Sequence, residues 1–255
     1  RMDHGGGRQA QGHVALFRRV AGAQSSHRID TLRQGHQFGD AGHIVAHLGN
    51  GAAAEAGTLG GNICNASPSG DTIPALLVFD AQCRIAGPDG DRWVALDQFF
   101  TGPGRTVLRS DELLAEIRVP PPAANTGSHF IKHSPRGAMD IATVGVASLV
   151  SLDGRRGPCS QARIALGAVG PTPVRAYSAE DILRGQDINQ ELIRSAADST
   201  RDGVKPIDDI RGSAAHRKEI VGVLTRRTLE QALSSAASGP LAFEEQRRLA
   251  VQAAF

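Results

Sequence analysis

A chain of 255 residues is long enough to bury a substantial core and to hold one large or two smaller domains. Its 28 basic and 26 acidic residues nearly cancel, which removes the electrostatic case for a nucleic-acid or membrane-surface partner. Cys64, Cys83 and Cys159 show no C-x-x-C spacing and supply neither a disulfide framework nor the ligands of an iron–sulfur cluster. The N-terminus lacks a secretory apolar core, and no apolar run approaches spanning length, so the expectation is a soluble cytoplasmic protein without membrane insertion.

Residues 1–57 carry six of the nine histidines and eleven of the thirty glycines, with poor helical or strand periodicity. Val14 to Phe17 and Ile44 to Leu48 are short apolar pieces with little between them. The histidine spacings match no zinc pattern, and scattered surface or disordered histidines are the simpler reading.

Signals sharpen at Gly57. The run Gly57-Thr58-Leu59-Gly60-Gly61-Asn62, then Ala66-Ser67-Pro68-Ser69-Gly70-Asp71, combines glycines with small polar side chains. Glycine lets backbone N–H groups approach a ligand closely, and short polar groups then orient it. Asp71 or Thr72 can cap a helix beginning near Ile73, whose start favours anions. The run is thus a candidate nucleotide or phosphate cradle, with an ordinary Gly/Ser/Pro loop as the alternative. Neither G-x-G-x-x-G nor G-x-x-x-x-G-K-[ST] occurs.

Ile73 to Ala81 suits a short buried helix. Cys83 to Ala86 and Trp93 to Leu96 read as strands around the turn Gly87-Pro88-Asp89-Gly90. Glu112 to Val119 reads as a strand that ends at Pro120-Pro121-Pro122, where a domain boundary is placed. His129 to Lys132 is a further strand. Ala142 to Leu152 and Ala162 to Val169 form an antiparallel pair across Asp153-Gly154. Three helices follow: Ser178 to Leu183 with a Ser178/Asp181 capping box, Asn189 to Thr200, and Ser213 to Leu233. The last has an apolar stripe of Ile220, Val221, Leu224, Leu229, Ala232 and Leu233. A sheet with a small helical bundle predicts an α+β fold. On pattern alone Leu114 is a strand residue, Lys132 and Arg136 are surface charges, and Asp140 is a turn or cap residue.

The order Thr58-Leu59-Gly60-Gly61-Asn62, Ala66-Ser67-Pro68, Gly70-Asp71, Pro74-Ala75-Leu76-Leu77 and Asp80-Ala81 resembles the second flavin-binding segment of the molybdenum hydroxylase flavoproteins. These are the FAD-binding medium subunits of the xanthine dehydrogenase and carbon monoxide dehydrogenase family. Later landmarks agree: Lys132 with Arg136 and Asp140-Ile141-Ala142; Ala168 to Ala176; and Asp209-Ile210-Arg211-Gly212-Ser213-Ala214 with His216-Arg217, where the family usually shows Tyr-Arg. The resemblance spans about Gly57 to Leu233.

The resemblance implies a two-lobed flavin-binding domain of the vanillyl-alcohol-oxidase (PCMH) type, then a C-terminal domain of antiparallel sheet and three helices. It divides the chain into residues 1–56, 57–122, 127–236 and a tail at 237–255. It places FAD on Thr58, Leu59, Gly60, Gly61 and Asn62 at the pyrophosphate and ribityl region, on Asp71 at the flavin side, and on Leu114 and Lys132. Arg136 and Asp140 would lie near the isoalloxazine edge. The implied function is electron relay without a catalytic residue or metal in this chain. Electrons would pass from 2Fe–2S clusters in a small subunit, fed by a molybdenum cofactor in a large subunit, through FAD to an acceptor. Dimers of heterotrimers are the implied assembly. The family's first pyrophosphate loop, Ala-Gly-Gly-(Thr/His)-(Asp/Ser)-Leu-Leu, has no counterpart: Gly5-Gly6-Gly7 is followed by Arg8-Gln9. Residues 1–56 are therefore expected to be a frame-shifted or aberrant remnant of the first lobe. The alternative function is a flavin-poor subunit with only a docking or structural role.

Overall fold

The computed structural model describes residues 58–135 and 140–238, together with the backbone of a two-residue strand, β1 (Ala15–Leu16). The expectations for the rest of residues 1–56, for the tail beyond Gly239 and for Arg136 lie outside the described residues.

The first part of the chain contains α1 (Leu59–Asn65), α2 (Thr72–Val78), β2 (Gln82–Gly87), β3 (Gly90–Ala95), β4 (Phe100–Gly102), β5 (Arg105–Thr106) and β6 (Leu113–Arg118). Its antiparallel sheet runs β1-β6-β2-β3. The β2–β3 hairpin closes over Pro88-Asp89 with Gly87 opposite Gly90, whose φ of 108° suits glycine. The small β4–β5 hairpin has no periodic apolar pattern to announce it in the sequence.

The second part contains β7 (Thr126–His133), β8 (Val144–Leu152), β9 (Cys159–Gly167), β10 (Val174–Arg175), α3 (Tyr177–Leu183), α4 (Gln190–Gly203) and α5 (Ala214–Ser238). The sheet order is β10-β9-β8-β7, antiparallel throughout. The architecture is thus mixed helix and antiparallel sheet.

β8 is buried along its whole length because both faces of this sheet are covered. Val144, Val146, Val150 and Leu152 join a core with α3, α4 and α5, whereas the alternating Ala147 and Leu149 join a core with α1, α2 and β2. The same alternation on β7 turns Phe130 toward the core with α1 and α2 and Ile131 toward the core with α3, α4 and α5. α5 lies tightly on β7: a Cβ on Gly127 would stand 2.2 Å from the Ala232 carbonyl oxygen and 2.4 Å from the Ala236 nitrogen.

Three local expectations are corrected. The glycine-rich run is not loop throughout, since Leu59–Asn65 is helical with Thr58 at its N-cap. Ser178 and Asp181 form no capping box: the N-cap is Ala176, and Ser178 lies inside the helix. The β8–β9 connection spans residues 153–158, longer than the two-residue turn at Asp153-Gly154, and is closed by a bond from Asp153 N to the Pro158 oxygen of 3.0 Å.

Candidate functional site

Thr58 starts α1 with extended backbone, and its Oγ1 accepts from Gly61 N at 3.0 Å. Asn62 N donates to the Thr58 carbonyl at 2.9 Å. Two of the N–H groups expected to form a cradle are therefore used within the helix. Only those of Leu59 and Gly60 stand ahead of the hydrogen-bonded ladder. The Thr58 hydroxyl, already an acceptor, still has its proton to donate.

Asn62 Oδ1 accepts from Thr72 Oγ1 at 2.7 Å and ties α1 to the start of α2. Gly70 makes that closeness possible, since a Cβ there would lie 2.8 Å from Ile73 Cδ1 and 3.2 Å from Asn62 Oδ1. Leu114, half-buried on β6 opposite Ile85, approaches α1 with its Cδ2 3.9 Å from where a Gly60 Cβ would lie. α1 thus meets the start of α2 through Asn62 and the beginning of β6 through Gly60.

Asp71 occupies the N-cap of α2 but makes no capping bond. Its Oδ2 instead accepts from Lys132 Nζ at 2.6 Å, the two side chains being 25 % and 14 % exposed. Lys132 comes from β7, on the face that carries Phe130, so the pair bridges the two parts of the chain across 61 residues. Asp71 Oδ1 is buried and accepts no hydrogen bond. Burial pushes the Asp71 carboxyl above its ordinary value, and the hydrogen bond and charge of Lys132 pull it back only in part. An ionised carboxylate here is consequently held at a cost, with one oxygen ready for a donor. Asp140 lies beyond the end of β7 and has interactions of its own.

Sequence reasoning missed the other end of α2. Arg163 Nη1 donates to the Val78 carbonyl at 3.1 Å, and Arg175 Nη1 to the Leu77 carbonyl at 3.3 Å. Both guanidiniums also meet Asp80, Arg175 at 2.8 Å. Arg175 and Asp80 stood in the quoted landmarks, but nothing in their spacing announces that they touch across 95 residues.

Among the described residues no group of three or more His, Cys, Asp or Glu could hold a metal ion. Burial pushes the Cys83 and Cys159 thiols up to about 12 and about 11, too high for nucleophiles at neutral pH. No helix among the described residues is long and apolar enough to cross a membrane.

Two family models match the chain. The FAD binding domain in molybdopterin dehydrogenase matches residues 17–122, and the CO dehydrogenase flavoprotein C-terminal domain matches residues 129–232. The xanthine dehydrogenase FAD-binding subunit of Escherichia coli O157:H7 is 35 % identical over 180 residues, which cover 70 % of this chain and 61 % of that one. The carbon monoxide dehydrogenase medium chain of Hydrogenophaga pseudoflava is 34 % identical over 176 residues, covering 69 % of this chain and 60 % of that one. This chain thus matches about three-fifths of the length of these relatives. A solved structure of carbon monoxide dehydrogenase from Hydrogenophaga pseudoflava, lacking the Mo-pyranopterin moiety of the molybdenum cofactor, superposes with a TM-score of 0.74 at 30 % identity. That likeness covers 86 % of this chain and 78 % of that one.

Proposed function

The chain belongs to the family of FAD-binding subunits of molybdenum hydroxylases, and from that premise we propose that it holds FAD as an electron-transfer subunit. In this reading electrons arrive from 2Fe–2S clusters of a small partner subunit, downstream of a molybdenum cofactor in a large one, and leave to an acceptor. The three subunits assemble as a dimer of heterotrimers. Residues 57–122 are the second lobe of a flavin unit of the vanillyl-alcohol-oxidase type, and residues 127–236 the domain packed against it.

The observation that carries the proposal is the Asp71–Lys132 pair. It brings a carboxylate with one buried, unpartnered oxygen beside a cation, at the start of α2 that Asn62 ties to α1. The residues present fit the cofactor. The Leu59 and Gly60 N–H groups lie at a helix start, where partial positive charge favours a diphosphate. The Thr58 hydroxyl supplies a further donor, and Leu114 an apolar wall. Asp71 Oδ1 is an acceptor for a hydroxyl or N–H of the cofactor, while Lys132 sets positive charge beside it. Bound FAD would supply chemistry that takes up electrons singly or in pairs, which joins one-electron clusters to either kind of acceptor. Lys132 and Asp71 hold charge in place and exclude water, and neither needs to change its covalent state.

The visible spectrum of the purified chain tests this. A flavin spectrum at near-stoichiometric occupancy is expected, retained after desalting. A colourless protein that takes up no added FAD would instead leave the docking role.

A further inference from the structure

We infer that the second sheet sets the position of the cofactor carboxylate, with Arg163, Arg175 and Asp80 acting as positioning residues for Asp71. The inference rests on the FAD reading above and concerns how the site is kept in shape.

α2 is a single short rod. Its residues Ile73 to Val78 are all buried, and at about 1.5 Å per residue it spans only about 10 Å. Both of its ends are held by side chains from the second part of the chain. Lys132 of β7 grips Asp71 at the start. Arg163 of β9 and Arg175 of β10 grip the Val78 and Leu77 carbonyls at the finish, where cations suit the helix dipole. Asp80 follows with φ of 51° and brings its carboxylate back between the two guanidiniums.

The finish is more elaborate than a cap requires. One cation satisfies a helix end, yet two stand together here; burial above all, and to a lesser degree the repulsion from Arg175, disfavour the Arg163 charge. Asp80 offsets that cost. Arg175 is locked further by buried Glu180, through Nε to Oε1 at 2.7 Å and Nη2 to Oε2 at 2.8 Å. Glu180 Oε1 also accepts from Ile164 N at 2.9 Å, which anchors the fork to β9 itself. A hydrogen-bonded rod fixed this firmly at one end has little freedom to slide or rotate at the other. The placement of Asp71 is therefore determined from the far end of α2 as well as by Lys132.

Asp80→Asn is the test. It removes the charge between the arginines while keeping the side chain's shape, and Asn tolerates the left-handed backbone. The apo form of the full chain is titrated with FAD, following flavin fluorescence and the bound flavin's absorption bands. Asp80→Asn should weaken FAD about tenfold and shift the bands, with the far-ultraviolet circular dichroism unchanged. Asp198→Asn, which removes a carboxylate paired with Arg201 on α4, should leave affinity and bands as they were. If Asp80→Asn does not fold, Arg163→Lys replaces it; it keeps the charge but cannot reach Val78 and Asp80 together. Wild-type affinity and wild-type bands in a folded positioning variant would overturn the inference alone. Failure of the unaltered chain to bind FAD would overturn the reading beneath it.

Discussion

Replacing Asp71 by Asn separates a functional carboxylate from a structural ion pair. Burial raises the folded carboxyl above its ordinary 3.8, and Lys132 lowers it only in part, so the ionised form is a net liability to the fold. The sign follows from linkage. Between 3.8 and the raised folded value the native state holds a proton that the unfolded chain has released. Stability from this group is therefore greatest below that window and declines as pH climbs through it. Asn keeps an oxygen for Lys132 Nζ and has no charge to desolvate. Without added FAD, D71N should unfold within about 1 kcal/mol of the wild type near neutral pH, on the more stable side, and lack that pH slope. FAD affinity should move the other way. Losing a charge-assisted hydrogen bond of about 1.5–3 kcal/mol corresponds to roughly 10- to 150-fold weaker binding. Thermal unfolding across pH and a fluorescence titration read the two effects independently. A D71N protein destabilised by more than about 2 kcal/mol, with FAD affinity intact, would refute the reasoning and make the pair structural.

Gly127→Ala should cost about 3 kcal/mol by urea denaturation, because a Cβ 2.2 Å from the Ala232 oxygen meets backbone that cannot rotate away. A loss under about 0.5 kcal/mol would mean that α5 sits more loosely on β7 than described. Glu112 accepts from Arg92 at 3.1 and 3.0 Å and from Arg109 N at 2.8 Å, and the Arg92 bond foremost lowers its carboxyl from 4.5 to about 2. Its stabilisation is present above 4.5 and disappears as pH falls through about 2. Acid titration of Glu112→Gln should accordingly show a deficit near neutrality that vanishes at the acid end; a constant deficit would point to lost packing instead.

Strong periodicity made the second sheet legible. β8 and β9 are runs of Val, Ile, Leu and Ala bounded by turn residues, and the apolar stripe of α5 recurs at helical spacing, with Val221, Leu224, Leu229 and Ala232 all buried. What pattern alone could not show is why β8 is buried on both faces, since that depends on α2 arriving from elsewhere in the chain. The glycine-rich run was legible as a candidate cradle but not as a helix. Gly60 and Gly61 lower helical propensity, and the Thr58 cap that overrides them resembles any other Thr-Leu-Gly. Residue order offered Asp71 and Lys132 as separate candidates, but only the three-dimensional register of β7 brings them within 2.6 Å. Ser178 satisfied the capping pattern and still failed as a cap. The cap lies two residues earlier, at Ala176, next to the Arg175–Glu180 fork.

The two family models part between residues 122 and 129, yet the interior does not part there. Ala147, Leu149 and Ala165 from beyond that boundary are fully enclosed by Ile63, Leu76, Phe79 and their neighbours from before it. Separating the halves would strand apolar surface on both, so a single cooperative melting transition is expected, which calorimetry checks. A ligand held at the front of α2 then does more than occupy a cleft. By mass action, its binding free energy opposes every opening that releases the ligand, the global one that exposes remote α5 included.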